Sequence, residues 1–366
     1  MTSAWLHRQQ GRAAMRPALV ALTGFSMVTG VVMILSIANP AWAADVDRNL
    51  LAARALLDGT FGTVDGYLYS PLAAALTIPA LAVPEGAVVV GWIVLRVAIL
   101  LIATNVVTRG LRPLDRFLAS AAVIAFLPIL YDLELGNVTV LIAAAVAVVA
   151  WIPDRAAAGI PLGIVLAAAP KPQLIPVLIW MALFRRKALV GALGTAGVGT
   201  LGALAAFGPG PYGEWVAALH APPDLVVGNL SLSGLPPFAA ISASVAVAAV
   251  TLLALRRGPA PGLVAALACG LLVSPYTILY AAGVLLVAAP ALARAAPRAT
   301  LVLALLAPVG LVVAFPVWVG FVMLLALVIP RRRWTEQYLT PVMDGPRPAK
   351  QDTIGAMPAC STAPPT

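Results

Sequence analysis

Residues 45–79 read DVDRNLLAARALLDGTFGTVDGYLYSPLAAALTIP, and how this stretch sits against a membrane decides how the rest of the chain is arranged. It gathers Asp45, Asp47, Asp58 and Asp65 with Arg48 and Arg54. Charge is scarce elsewhere: the 366 residues are 61% hydrophobic and only 10% charged, with mean hydropathy +0.99. A soluble domain carries about 25% charged residues, so most of this polypeptide belongs in lipid. The apolar runs are unbroken Ala, Leu and Val, not the ~10-residue alternating segments of a membrane β-barrel. The fold class is therefore all-α, a polytopic integral membrane protein.

Working outward, an apolar run from Pro17 to Ile37 follows Arg8, Arg12 and Arg16. It is longer than the 7–15 residues of a signal h-region and predicts an uncleaved first helix. The chain then emerges outside the cytoplasm at Asp45, opening an external loop over 39–85. Within it, Ser70 to Val83 is apolar but interrupted by Pro71, Pro79 and Pro84. That is too short to span comfortably, and it reads as a re-entrant or interfacial helix. Further helices are predicted near 86–108, 116–131, 137–152, 157–170, 173–184, 188–207, 237–255, 260–274, 275–291, 299–313 and 316–330. The total is roughly ten to twelve spans over 17–333. Residues 1–16 read as a basic cytoplasmic N-terminus. The Pro-, Gly- and Thr-rich stretch 334–366 reads as a disordered cytoplasmic tail.

The charges test this topology. On it, nineteen of the 23 Lys and Arg fall inside, Arg48, Arg54 and Lys171 fall outside, and Arg96 lies within a span. Nine of the 14 acidic residues fall outside. This is the positive-inside pattern, so the net charge of +9 reflects membrane orientation and not a nucleic-acid partner. Cys269 and Cys360 form no disulfide framework and no metal motif.

Few residues outside the spans carry chemistry. Asp45 and Asp47 form an Asp-x-Asp, the pattern that holds a divalent ion on a nucleotide sugar. Nucleotide sugars are cytoplasmic, however, and this loop faces out. Arg96, at the depth of a helix, either lines a polar interior or snorkels to an interface. Lys171 sits between prolines at 170 and 172, where broken backbone is tolerated if it lines a cavity. An amine there either binds a phosphate as a point charge or is a lone interfacial lysine. The segment 208–235 adds His220 and the run Asn229-Leu-Ser231. Paired inverted hydropathy repeats, the mark of a transporter or lipid-sugar flippase, are not found.

These elements, taken in order, resemble glycosyltransferase family 87, polytopic enzymes that use polyprenyl-phosphate sugars. The matching features are Asp45 fourteen residues before Gly59, then Tyr67, Tyr69 and Pro71; Gly136-Asn137-Val138-Thr139; Lys171 to Pro176; Asn229 to Gly234; and Ser274-Pro275 with Tyr280. The family's Gln and Asn of the second element are Asn137 and Thr139 here, and the Trp and His after Ser-Pro are replaced by Thr277, Ile278 and Leu279. The resemblance implies a GT-C type fold and a sugar, mannose first and arabinofuranose second, moved from a polyprenyl-phosphate donor. It further implies an acceptor that is a cell-envelope glycolipid or polysaccharide on the extracytoplasmic face of the cell membrane. It implies Asp45 as general base, since an acceptor hydroxyl must lose its proton as it attacks. The donor phosphate and substrate would then be met by Lys171, Arg96, Arg48, Arg54, Tyr69, Asn137, Asn229, Ser231 and His220. No metal or other cofactor is required.

Overall fold

The acidic stretch is a helix. The run from Ala52 to Leu57 consists of strong helix formers, and Asp45 and Asp47 stand in the first turn, where the helix dipole favours negative charge. Helix α1, Ala44–Leu57, ends before Gly59, whose φ of +70° is open to glycine at little cost. In the computed structural model of the protein the described residues are 44–64, 66–109, 113–124, 126–220, 229–330 and 334. The predicted first helix over 17–37, the basic segment 1–16 and the tail from 335 onward lie outside them.

Helix α2, Pro71–Thr77, runs into a 3-10 turn, Ile78–Ala82, and remains too short to cross a bilayer, as expected. Then follow α3 Glu85–Val107, α4 Pro113–Ile124, α5 Leu127–Leu135, α6 Thr139–Trp151, α7 Ala156–Ala168, α8 Ile175–Phe184 and α9 Arg186–Phe207. The chain continues through α10 Gly210–His220, α11 Pro237–Arg257, α12 Pro259–Val273, α13 Ala289–Ala295, α14 Pro297–Val313 and α15 Phe315–Val328. No strand occurs among the described residues.

Among the described residues only α3, α9 and α11 are long and apolar enough to span alone, and the bent pair α4–α5 makes up to four. The expected ten to twelve full spans are thus not reached among the described residues. Prolines explain the difference, because they end helices that hydropathy alone would continue. The predicted helix 275–291 is in fact a 3-10 segment, Leu279–Val287, followed by α13. Two of the shorter helices, α6 and α12, form the bundle interior: α12 is buried at every position from Ala260 to Leu272, as a helix apolar on all sides should be. It packs against α8, α11 and α15.

Helices α7 and α9 make the closest approach. A Cβ on Gly159 would lie 1.8 Å from the Ala188 carbonyl oxygen, and one on Gly191 would lie 1.9 Å from that of Ala156. Small residues spaced by four let two backbones meet, the usual glue of membrane helices. Gly159→Ala is therefore expected to prevent α7 and α9 from docking and to lower the yield of folded protein in detergent sharply. Gly194→Ala, where a Cβ meets nothing within 4 Å, should leave it unchanged. Equal yields of the two would contradict this packing.

Candidate active site

The site is built on a buried ion pair. Arg96 of α3 and Asp132 of α5 are each fully buried, with guanidinium and carboxylate 3.5 Å apart. One Arg96 NH group also donates to the carbonyls of Asp132 (2.8 Å) and Asn137 (3.0 Å), and the other to that of Leu133 (2.8 Å). The Trp92 ring lies 5.5 Å from the guanidinium, and its indole N–H donates to the Gly136 carbonyl at 2.8 Å. Asp132 in turn accepts from the backbone N–H groups of Thr139 and Val140 at the start of α6, the place where a helix welcomes a carboxylate. Helix α5 stops because Gly136 is left-handed, at φ 79°, and returns its N–H to the Asp132 carbonyl. Arg96 thus clamps the α5–α6 turn from both sides. The resemblance implied it as a donor or substrate contact; its NH groups are turned to protein carbonyls and to the Asp132 carboxylate.

What the clamp fixes is Asn137. Its amide donates to the Asp45 carboxylate at 2.5 Å, and its oxygen accepts from the Val138 N–H at 2.8 Å and from the Lys171 amine at 3.5 Å. Asp45 and Lys171 therefore face each other across one amide. Two further contacts carry these residues in. Ser70 donates its N–H to the Ala168 carbonyl (3.0 Å) and its hydroxyl to that of Ala167 (2.5 Å), bringing the Tyr-Ser-Pro element to the end of α7. Gly270 of α12 lies so near the 3-10 turn Pro172–Leu174 that a Cβ would sit 2.1 Å from the Gln173 oxygen.

Lys171 is held between two rings, with its amine 5.5 Å from the centre of Tyr69 and 5.4 Å from that of Tyr280. Burial draws its pKa below the ordinary lysine range, while the Asp45 and Asp132 carboxylates act against that. Tyr131 packs against Tyr280 at 6.1 Å. Burial first, then the Asp45 charge, push the phenols of Tyr67, Tyr69 and Tyr276 up. Five of the chain's seven tyrosines thus gather around Asp45 and Lys171. Sequence reasoning missed Tyr131 and Tyr276 because a tyrosine beside an apolar run reads as ordinary core. The recurrence of tyrosine after each polar break was the available signal.

The other expected residues are more scattered. Arg48, mostly exposed, lies 3.8 Å from Asp45. Arg54 is exposed toward the far end of α1, away from the amide. Asp47 is exposed on another side of the helix, so the two carboxylates of the Asp-x-Asp do not converge; desolvation first, then the Glu85 charge, raise its pKa. Asn229 and Ser231 form a knot with the Ser274-Pro275 element. The Asn229 oxygen accepts from the Ser231 N–H (3.0 Å), the Ser231 hydroxyl (2.9 Å) and the Thr277 N–H (2.9 Å). The Tyr276 carbonyl is gripped by Ser274 (2.6 Å) and Gln173 (3.1 Å). This knot holds Tyr276 in place and does not touch Asp45. His220 closes α10, and its side chain lies outside the described residues.

A carboxylate facing an amine inside a ring of phenols, in a bundle of apolar helices, is the polar site of a membrane protein. The model of glycosyltransferase family 87 matches residues 67–316, and the chain belongs to that family. The match takes in Tyr69, Asn137, Lys171, Asn229 and Ser231, whereas Asp45 precedes it. No curated protein and no solved structure matches the chain.

Arg96→Met leaves the Asp132 carboxylate buried without its partner. It is expected to cost about 3–5 kcal/mol of stability, measured as a lowered unfolding midpoint in detergent. An unchanged midpoint would show that the clamp does not hold the turn.

Proposed function

We propose that this glycosyltransferase moves a sugar, with mannose the first expectation, from a polyprenyl-phosphate donor to an envelope glycolipid or polysaccharide on the extracytoplasmic face. Asp45 serves as general base. The observation that carries this reading is the Asp45–Asn137–Lys171 arrangement, which sets a proton acceptor and a cation on either side of one amide. A transferred glycosyl unit needs both. The acceptor hydroxyl must lose a proton, and the leaving lipid phosphate needs its charge met.

In the proposed step the acceptor oxygen attacks the anomeric carbon as its proton passes to Asp45. The new C–O bond forms while the bond from the anomeric carbon to the phosphate oxygen breaks, and the electron pair leaves with polyprenyl phosphate toward Lys171. Arg48, at the rim, is the second cation in reach of that phosphate. A single displacement inverts the anomeric centre. Retention requires a second carboxylate as nucleophile, and Asp132 is already engaged by Arg96 and by the first N–H groups of α6. The tyrosine ring offers flat apolar faces and hydroxyls, the surfaces that suit a sugar ring. Arg96 acts in this reading as a positioning residue for Asn137. The GT-C type of fold is part of the same proposal.

Membranes carrying the protein are expected to transfer label from polyprenyl-phosphate mannose, and Asp45→Asn should lower that rate by roughly 10²–10⁴-fold with insertion intact. Transfer from polyprenyl-phosphate arabinose alone would replace mannose, and full activity of the variant would remove Asp45 from the mechanism. Lys171→Ala should raise the KM for the lipid donor about tenfold, equal to ~1.4 kcal/mol of binding. The buried ammonium is charged only below its lowered pKa. Donor binding should therefore fail, as pH rises, earlier than an ordinary lysine would allow, and Lys171→Arg should move that limb upward. An unchanged KM in Lys171→Ala would leave the lysine with a structural role only.

A further inference from the structure

On the side of the Arg96–Asp132 clamp away from Asp45 lies an apolar cavity of about 140 Å³ walled by α3, α4, α6, the Leu279–Val287 turn, α13 and α14. Its upper end begins at Leu100, one turn beyond Arg96, and at Ala143, one turn beyond Thr139. There Gly283 presses against Ile129 and Thr139; a Cβ on it would lie 2.7 Å from the Ile129 side chain. That contact separates the cavity from the polar site. The lower end is reached at Thr108, Arg294 and Thr300. Leu100 to Thr108 spans about 12 Å of helix at 1.5 Å per residue.

The walls ask for hydrocarbon. The hydroxyls of Thr104, Thr108 and Thr300 each donate to the carbonyl four residues earlier, at 2.8, 2.7 and 2.9 Å. The charged group in the lining is Arg294, and it stands at the lower mouth over the Trp151 ring, 5.7 Å from its centre. Arg109, next after Thr108, and Arg298, two residues before Thr300, are exposed at the same end. Trp151 is itself buried, with its indole N–H on the Val287 carbonyl, so the bases mark this end, and a cluster of bases at headgroup level attracts anionic lipid. The bore suits a single hydrocarbon chain and is too small for a helix, which measures about 10 Å across.

We propose that this cavity binds one anionic phospholipid, with an acyl chain inside and its phosphate at Arg294. This site is separate from the one that takes the sugar donor. The amine proposed to meet the donor phosphate, Lys171, lies beyond the clamp, and a tail entering the cavity from there would have to pass Arg96, Asp132 and Gly283. The bound lipid fills the space between the α3–α4 and α13–α14 hairpins and ties together helices that share few other side chains.

The test is native mass spectrometry of the full chain in mild detergent, titrated with phosphatidylglycerol or phosphatidylcholine. One phosphatidylglycerol is expected to stay bound at concentrations where phosphatidylcholine does not. Ala144→Leu, which fills the cavity, and Arg294→Gln, which removes the charge, should each reduce retention at least fivefold, and Arg294→Lys should restore it. Equal retention of the two lipids, or undiminished retention in both Ala144→Leu and Arg294→Gln, would overturn the proposal. So would one-for-one displacement of phosphatidylglycerol by polyprenyl phosphate, which would give the cavity to the donor's own tail. None of these readouts depends on glycosyl transfer, so the proposed reaction and this site stand or fall separately.

Discussion

The buried pair of Arg96 and Asp132 is the constraint on which the rest depends. A guanidinium at this depth in an apolar bundle is costly unless its hydrogens are met, and here the two terminal NH groups are met by three carbonyls and one carboxylate, while the buried Nε–H has no partner. Because those carbonyls belong to the last turn of α5 and to Asn137, satisfying the arginine also fixes the turn. Because the carboxylate takes the first N–H groups of α6, satisfying the aspartate fixes the next helix as well. Such a pair adds little net stability compared with an apolar replacement. What it supplies is one defined arrangement of a loop that apolar packing alone would leave free to shift.

From that fixed turn the site follows outward. Asn137 reaches Asp45 on one side and Lys171 on the other, so residues 92 and 34 positions away in sequence are set by one side chain. Each partner is brought in by its own anchor. Asp45 rides on α1, whose Val46 and Leu50 pack on Val88, Val89 and Trp92. Lys171 lies in a strap pinned by Ser70 on one side and by the close approach of Gly270 on the other. The small residues between α7 and α9 serve the same end, since they bring α7, and the lysine after it, against the bundle.

Much of this was legible in the chain. The scarcity of charge fixed the membrane class, and the polar islands at Asp45, Asn137 and Lys171 were the residues singled out. What the sequence does not carry is which side chain faces which. Arg96 read as an interior charge or a snorkelling one, with a substrate role implied by the resemblance; the structure puts it in the interior, on the Asp132 carboxylate and on backbone carbonyls that no residue code announces. Asn229 and Ser231 stood out as a polar motif, yet Asn229 bonds Thr277 and Pro275, and Ser231 bonds Asn229 and Ser233. The helix lengths differ from the expected ones for a simpler reason. Hydropathy runs smoothly through Pro128, Pro290 and Pro316, and backbone geometry does not. Asp45, in turn, precedes the stretch matched to the family, so its place in the site rests on the Asn137 contact and not on that match.

The central claim is that Asp45, on the first described helix, meets the Arg96-clamped turn at Asn137. It is tested most directly by crosslinking in native membranes. In a background where Cys360 is replaced by Ser, the pair Asp45→Cys and Asn137→Cys is treated with a short bifunctional methanethiosulfonate and followed by mass spectrometry of the linked peptides. Efficient linkage is predicted for this pair and little for Arg54→Cys with Asn137→Cys. Linkage of the second pair but not the first would contradict the account.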